Sequence, residues 1–427
     1  MLNLITIAFF IIAGQPISIW EAMETAEKKP SSLSSKYLVL SAESDLEKAK
    51  MDWSPSLSFN LNASRTDSLE GFSPQGVNFF GIGENFGTAS LTLSYPIYSF
   101  GLKNSQIELQ KTSLLLAQLN KDSLLQQSRL TIANSWLNLW LSKENHLLAL
   151  RKLENAKAVL ADAEARHSAE LTSDLELLQF ESEFFDSEEN MHQAQAAYEA
   201  SLTIFKSLTA MKGEISLMDL PGINEEILVS FMTKETNERA NTKRARLNLL
   251  LSKKSKKLLE SRPNLSLRTT ASHPENEQGF ESGDTLRSDL SFTWEILKPS
   301  KKMELKSADE KIKSGESLYE QAMIDENALI ESSLKTIEMY ETRINSAQKR
   351  LELMQKISLS IRQGLDVGSS SYIDWSNAEN NYFAAGVSLA AVKVEFLKEI
   401  FNLSAGNIDS ISKLEKIKPI SELINDW

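Results

Sequence analysis

LTLSYPIYSFGLKNSQIELQK, residues 91–111, changes period partway along. Up to Tyr98 the apolar and polar residues alternate. Ala89, Leu91, Leu93, Tyr95 and Ile97 fall on one side, and Ser90, Thr92 and Ser94 on the other. Period two with one apolar face predicts a strand over Thr88–Tyr98. After Gly101 the character is different. From Leu102 to Lys212 there is no Gly and no Pro, and Ala, Leu, Glu, Gln and Lys dominate. These are good helix formers. One unbroken run would be far longer than an ordinary globular helix.

The polar stretch Arg166–Ser173 is the expected reversal, dividing this run into a long helix and a second helix, Asp174–Lys212. A first helix of about 60 residues would be roughly 95 Å long at 1.5 Å per residue. Rod geometry of this kind predicts coiled-coil-like packing. Ile132, Trp136 and Leu139 follow 4-then-3 spacing, and Leu130, Leu137, Leu141 and Leu148 follow 7-4-7. The two sets lie on nearly opposite sides of a helix. A helix with two seams touches a neighbour on each side, as in a closed ring of helices. Trp136 and Trp140 read as packing residues.

The same succession appears twice. The first half reads helix (Ser18–Met51), strand (Pro55–Arg65), strand (Thr88–Tyr98), long helix, polar turn, helix. The second reads helix (Glu225–Ser261), strand (Pro263–Ser272), strand (Arg287–Leu297), long helix (Lys301–Arg362), turn, helix (Tyr372–Ser404). WSPSLSFN and SRPNLSLR enter the first strand of each half. An internal duplication of this kind governs the reading of the whole chain. It gives a first repeat over 16–212, a linker over 213–223 (with GEISLMDLPG at Gly213–Gly222), a second repeat over 224–406 and a tail over 407–427. Gly364 and Gly368, with Asp366 and Ser370 between and beside them, mark the turn of the second repeat. Arg166 and Thr172 bound that of the first, which lacks glycine.

Composition narrows the function. A net charge of -12 argues against a general nucleic-acid binder, which carries a basic face. There is no cysteine, hence no disulfide frame, no thiol nucleophile and no Cys-based zinc site. His146, His167, His192 and His273 are scattered without metal spacing, and the serine runs lack a His–Asp arrangement for nucleophilic catalysis. No enzyme activity, metal or cofactor is expected. KKSKK, Lys253–Lys257, reads as a solvated helix face. Leu2–Ala13 has the length of a secretory h-region and is too short to span a bilayer, so residues 1–15 are expected to be a signal peptide. No later segment has the apolar length of a membrane helix. Entry into a membrane would fall to the strands.

Strands of about ten residues suit a membrane β-barrel; the alternative is a soluble sheet packed on the helices. Four strands cannot close a barrel, and an open sheet edge is not tolerated in lipid. Other copies of the chain would supply the rest. Three copies give twelve strands, although the count also admits two copies.

Laid out in this way, residues 17–406 resemble the TolC-like outer-membrane efflux proteins, the exit ducts of tripartite pumps and type I secretion systems. The resemblance rests on ISIWEAMETAEKKPSS, MDWSPSLSFNLNAS, LTLSYPIYSFGLKNSQIELQK and VGSSSYIDWSNAENNYFAAG, in that order. It implies an α+β, mostly α fold: a long α-helical barrel plus a transmembrane β-barrel completed by trimerisation, with four strands per chain. It implies a homotrimer in the lipid of the outer membrane, with the helical part in the periplasm. A periplasmic adaptor protein and an inner-membrane transporter would dock at the helical tip. In the family an acidic ring narrows the pore there. Asp374 falls at that position, with Asn377 where some members carry a second aspartate, and Glu176 and Gln179 at the matching places of the first repeat. Asp374 could instead serve as a helix N-cap after the serine run. Leu365 and Ser370 stand where some members carry a polar latch, and Glu295 where the first repeat has Pro96. Rival readings are a structural or adhesive coiled-coil envelope protein and a periplasmic adaptor. The two hairpins and four long strands favour the duct.

Overall fold

A computed structural model describes residues 16–66, 84–170, 173–220, 238–260, 262–276, 284–367 and 369–405. The helices are α1 (Ile19–Glu24), α2 (Pro30–Met51), α3 (Leu102–Ser168), α4 (Asp174–Thr209), α5 (Ala240–Leu259), α6 (Pro299–Asp366) and α7 (Tyr372–Ala405). The strands are β1 (Ser56–Thr66), β2 (Glu84–Tyr98), β3 (Asn264–Asn276) and β4 (Thr285–Thr293). The chain divides into two compact units. One comprises Met1–Lys36, Leu119–Lys243 and Gln321–Trp427, and the other Tyr37–Gln118 and Arg244–Glu320.

The second unit holds a four-stranded antiparallel sheet in the order β1-β2-β3-β4. The hairpins of the two halves are thus one sheet, joined where β2 pairs with β3. The register keeps the apolar faces together. Phe59 stands opposite Leu91, Leu91 opposite Ala271, Leu267 opposite Leu290 and Leu265 opposite Phe292. On the other face Asn60 meets Ser90, Thr92 meets Thr270 with hydroxyls 3.3 Å apart, and Arg268 meets Asp289. The apolar face is open: Phe59 and Leu290 are each 67% exposed. β1 and β4 are the sheet's two edges.

The opening stretch turns as its residues dictate. Pro96 sits at a register shift of β2 against β3, the kind of irregularity at which a strand accommodates proline. Gly101 has φ +88, a left-handed conformation that favours glycine, and a Cβ there would come within 3.1 Å of the Arg262 guanidinium. That guanidinium donates to Ser105 Oγ at 3.1 Å, tying the start of α3 to the entry of β3. The Ser99 carbonyl accepts from Leu102 N–H at 3.0 Å and its hydroxyl from Lys103 N–H at 3.2 Å, starting the helix.

Two expected elements differ, and one lies partly outside the described residues. The helix expected over Ser18–Met51 is broken: α1 passes into a 3-10 turn (Thr25–Lys28), and Lys29 is extended. Pro30 disfavours helical backbone at the residue before it and is suited to the first position of the next helix. The strand expected to reach Leu297 stops at Thr293, and Pro299 opens α6 soon after. The helix expected from Glu225 is described only from Ala240; residues 225–237 lie outside the described part. KKSKK is not merely solvated. Lys253 pairs with Glu316 at 2.9 Å, Lys256 with Asp309 at 2.5 Å, and Lys254 donates to Thr112 Oγ1 at 2.8 Å and the Glu108 carbonyl at 3.1 Å.

The first unit buries one core. Ile132, Trp136, Leu137 and Leu139 are almost wholly enclosed together with Ile19, Ala22, Phe205, Val394 and Phe401, and Leu130 and Leu141 pack against them. Both seams of α3 are therefore covered. The segment read as a linker is part of this core: Leu217 and Leu220 are buried, and Leu217 bridges Ile17 in parallel. Ile17 N–H donates to the Ser216 carbonyl at 2.8 Å, and the Ile17 carbonyl accepts from Met218 N–H and Trp136 Nε1–H, both at 3.2 Å.

Candidate functional site

The candidate site is where α3 turns into α4 and α6 into α7. These reversals lie in one unit, and α3 touches α7 there: Asn155 Nδ2 donates to Ser376 Oγ at 3.2 Å, and the Arg151 guanidinium lies 5.1 Å from the Phe383 ring centroid.

In the first reversal α3 runs on through Ser168, so Arg166 is in its last turn and pairs back to Asp162 at 2.8 Å. A basic side chain there is matched to the helix's negative end. Glu170 then takes a left-handed conformation, φ +57, which does the work a glycine would do. Ser173 caps α4 in a closed capping box. Glu176 N–H donates to Ser173 Oγ and Ser173 N–H to Glu176 Oε2, each at 3.3 Å. His167 Nε2 lies 3.5 Å from Asp174 Oδ1 across the turn.

In the second reversal Gly364 serves close approach rather than an unusual φ. α6 continues through Gly364 to Asp366, so Gly364 does not end the helix. Its carbonyl accepts from Ser369 N–H at 2.8 Å, Ser370 N–H at 3.2 Å and Ser369 Oγ–H at 3.1 Å. The chain is drawn in so closely that a Cβ on Gly364 would collide with the Ser370 hydroxyl. Arg362 lies over Trp375, 5.9 Å from the ring centroid.

Asp374 is not the N-cap of α7. Ser371 is the cap, and Asp374, three residues on, completes the box. Asp374 N–H donates to Ser371 Oγ at 3.1 Å; Asp374 Oδ2 accepts from Ser371 Oγ–H at 2.6 Å and Ser371 N–H at 3.1 Å. The hydroxyl and then the backbone N–H of Ser371 hold this exposed carboxyl below its ordinary pKa. The two acids expected at the tip, Glu176 and Asp374, therefore share one local geometry: each closes a Ser-x-x-acid box. Glu176, Gln179, Asp374 and Asn377 are all exposed. Thr172 and Gly368 lie outside the described residues, as does the side chain of Asp366. The motif that sequence reasoning passed over was legible: Ser173-x-x-Glu176 and Ser371-x-x-Asp374 are capping-box patterns.

A pH dependence follows. A carboxyl whose folded pKa is depressed stabilises the fold above its unfolded value, about 3.9 for aspartate, and loses that contribution as pH falls through the folded value. The start of α7 should fray on acidification below about pH 4. Ser371→Ala should cost about 1 kcal/mol of local stability and remove this acid step. Amide hydrogen exchange at residues 372–376 reads both. Unchanged protection in Ser371→Ala at neutral pH would refute the box.

The comparisons agree with this architecture. Residues 25–210 match the family described as outer membrane efflux protein. The fold matches that of CusC with a TM-score of 0.74 at 15% identity, over 93% of each chain. It matches the CmeC outer membrane channel of Campylobacter jejuni with a TM-score of 0.74 at 16% identity, over 93% of this chain and 88% of that one. It matches the outer membrane protein VceC of Vibrio cholerae with a TM-score of 0.72 at 15% identity, over 92% and 95%. No curated protein sequence matches the chain. Among the described residues no group of three His, Asp or Glu could hold a metal ion, and no helix is long and apolar enough to cross a membrane. Residues 25–210 thus carry the match to the outer membrane efflux protein family, and nearly the whole chain has the TolC-like channel fold.

Proposed function

We propose that this protein is a passive outer-membrane efflux duct, without enzyme activity, built from three copies. The observation that carries this reading is the sheet. It leaves one apolar face exposed, carries polar residues on the other, and has two edges, β1 and β4, that no other described strand pairs. In water such a face is a liability. In a bilayer it is what the lipid side of a barrel requires, with every strand edge closed by a neighbour. Three copies give a closed barrel of twelve strands with a polar lumen.

On this reading residues 1–15 are a secretory signal, residues 16–212 and 224–406 are two copies of one ancestral repeat, 213–223 joins them and 407–427 is a tail. The helical part extends into the periplasm, where an adaptor and an inner-membrane transporter dock at the α3–α4 and α6–α7 reversals. Asp374 and Glu176, with Asn377 and Gln179 beside them, line the constriction. Carboxylates around a narrow axis attract cations and repel anions. Asp374 and Glu176 are both exposed, as a group lining a constriction would be. Light scattering of the detergent-purified protein should give the mass of three chains. A monomer that stays soluble without detergent would overturn the reading.

A further inference from the structure

The polar face of the sheet is uncharged along β1 and β2 and charged along β3 and β4. Between 56–62 and 88–94 its residues are serine, threonine and asparagine. Across the β3–β4 pair it carries Arg268, Arg287 and Asp289. Arg268 stands opposite Asp289 at the central pair of that ladder, and Arg287 stands opposite Thr270 at the next pair on the same face. Two contacts fix the face these side chains share. Arg287 Nε donates to Asp289 Oδ1 at 2.9 Å, and the Thr270 hydroxyl lies 3.3 Å from that of Thr92. Residues of the opposite face pair separately, as Thr269 does with Ser288 at 3.1 Å.

The charges in this group do not balance. Two guanidinium groups share one carboxylate, and that carboxylate is already held by Arg287. The Arg287 side chain is 78% exposed even so, and Arg268 is exposed as well. Both remain open to an incoming ligand. A guanidinium fork matches two oxygens of a phosphate, sulfate or carboxylate group, which makes arginine the side chain best suited to such anions. Hydroxyls flank the pair along the same face. Ser266 stands opposite Ser291 on one side, and Thr270 and Ser272 follow on the other, so further O–H donors lie within reach of the same anion.

We propose that Arg268 and Arg287 form a binding site for polyvalent oxyanions inside the barrel, the class of solutes that carry several phosphate, sulfate or carboxylate groups. This site rests on the duct reading above, which turns the polar face toward the lumen. Repeated in every copy, the two arginines make a ring of guanidinium groups at one height. A twelve-stranded barrel is wider than the eight-stranded ones that side chains fill. Such a ring therefore holds an anion without closing the path. Low-dielectric walls focus its field. A polyvalent anion engages several guanidinium groups at once, whereas a monovalent one engages fewer and is held more weakly. The acids at the helical tip act elsewhere, at the constriction, where the preference among small ions is set.

Inorganic tripolyphosphate, added to single channels of the purified full-length oligomer in planar bilayers, should block the current reversibly. In the Arg268→Gln, Arg287→Gln double variant the half-blocking concentration should rise about tenfold or more, since hydrogen bonds to charged groups are lost. In Asp289→Asn, which removes the competing carboxylate, it should fall about fivefold. The two shifts have opposite signs, so if one variant fails to assemble the other still decides. Conducting channels that tripolyphosphate does not block, or a block unchanged in either variant, would overturn the site alone. Bilayers left silent by the wild-type oligomer would overturn the duct reading, and with it the lumen in which the site stands.

Discussion

Trp136→Ala is expected to destabilise the protein by about 3–5 kcal/mol, the range for truncating a buried large aromatic. Trp136 has no exposed surface and stands where α3 meets α1, the end of α4, α7 and the segment around Leu217. The indole also holds the segment that leads into α1: Nε1–H donates to the Ile17 carbonyl. That carbonyl also accepts from Met218 N–H, so loss of the indole bond does not leave it wholly unpaired. Trp136→Phe should therefore cost clearly less than Trp136→Ala, because it keeps most of the volume and gives up one hydrogen bond of about 1 kcal/mol. Denaturant midpoints by circular dichroism separate the two. Equal midpoints for the two variants would show that the hydrogen bond, not the packing, dominates.

Leu91→Arg should be the most damaging change in the sheet, by about 2–4 kcal/mol if this face lies against the bilayer midplane. Leu91 is central in β2, opposite Phe59 on one side and Ala271 on the other. Asn60→Arg, one position away on β1 and on the polar face, should be tolerated, because its side chain would enter the lumen. Heat-modifiable migration of the outer-membrane fraction compares the two. Equal tolerance would mean that the apolar face does not meet lipid. A sheet covered by protein would suffer from the first substitution in water as well as in detergent, and refolding in both media distinguishes these cases.

Much of this architecture was legible in residues 91–111, where a period of two gives way to a glycine-free helical run. Periodicity reports which residues share a face: all four strands and both long helices are present, with β4 ending at Thr293 rather than Leu297. Backbone punctuation was weighed less well. Lys29–Pro30 breaks the first helix, and the last strand ends at Thr293, short of the apolar alternation that runs on to Ile296. Glycine was over-read at Gly364, which stays helical and serves close approach, while Glu170 makes its left-handed turn without glycine. The partners of KKSKK were not legible, since Glu316, Asp309 and Thr112 lie 50 to 150 residues away in sequence. Nor was the burial of Leu217 and Leu220, because short apolar residues between glycines look like a linker until α1 and α3 are folded against them. At the tip, the acids were found through a family likeness, whereas their capping geometry was written locally as Ser-x-x-acid.

The central claim is that this chain forms a water-filled pore. Single-channel recording after insertion of the purified oligomer into planar bilayers tests it most directly. Discrete conductance steps with a preference for cations are the predicted result. A folded, helical protein that inserts but leaves the bilayer electrically silent, or that passes anions in preference to cations, would contradict the account.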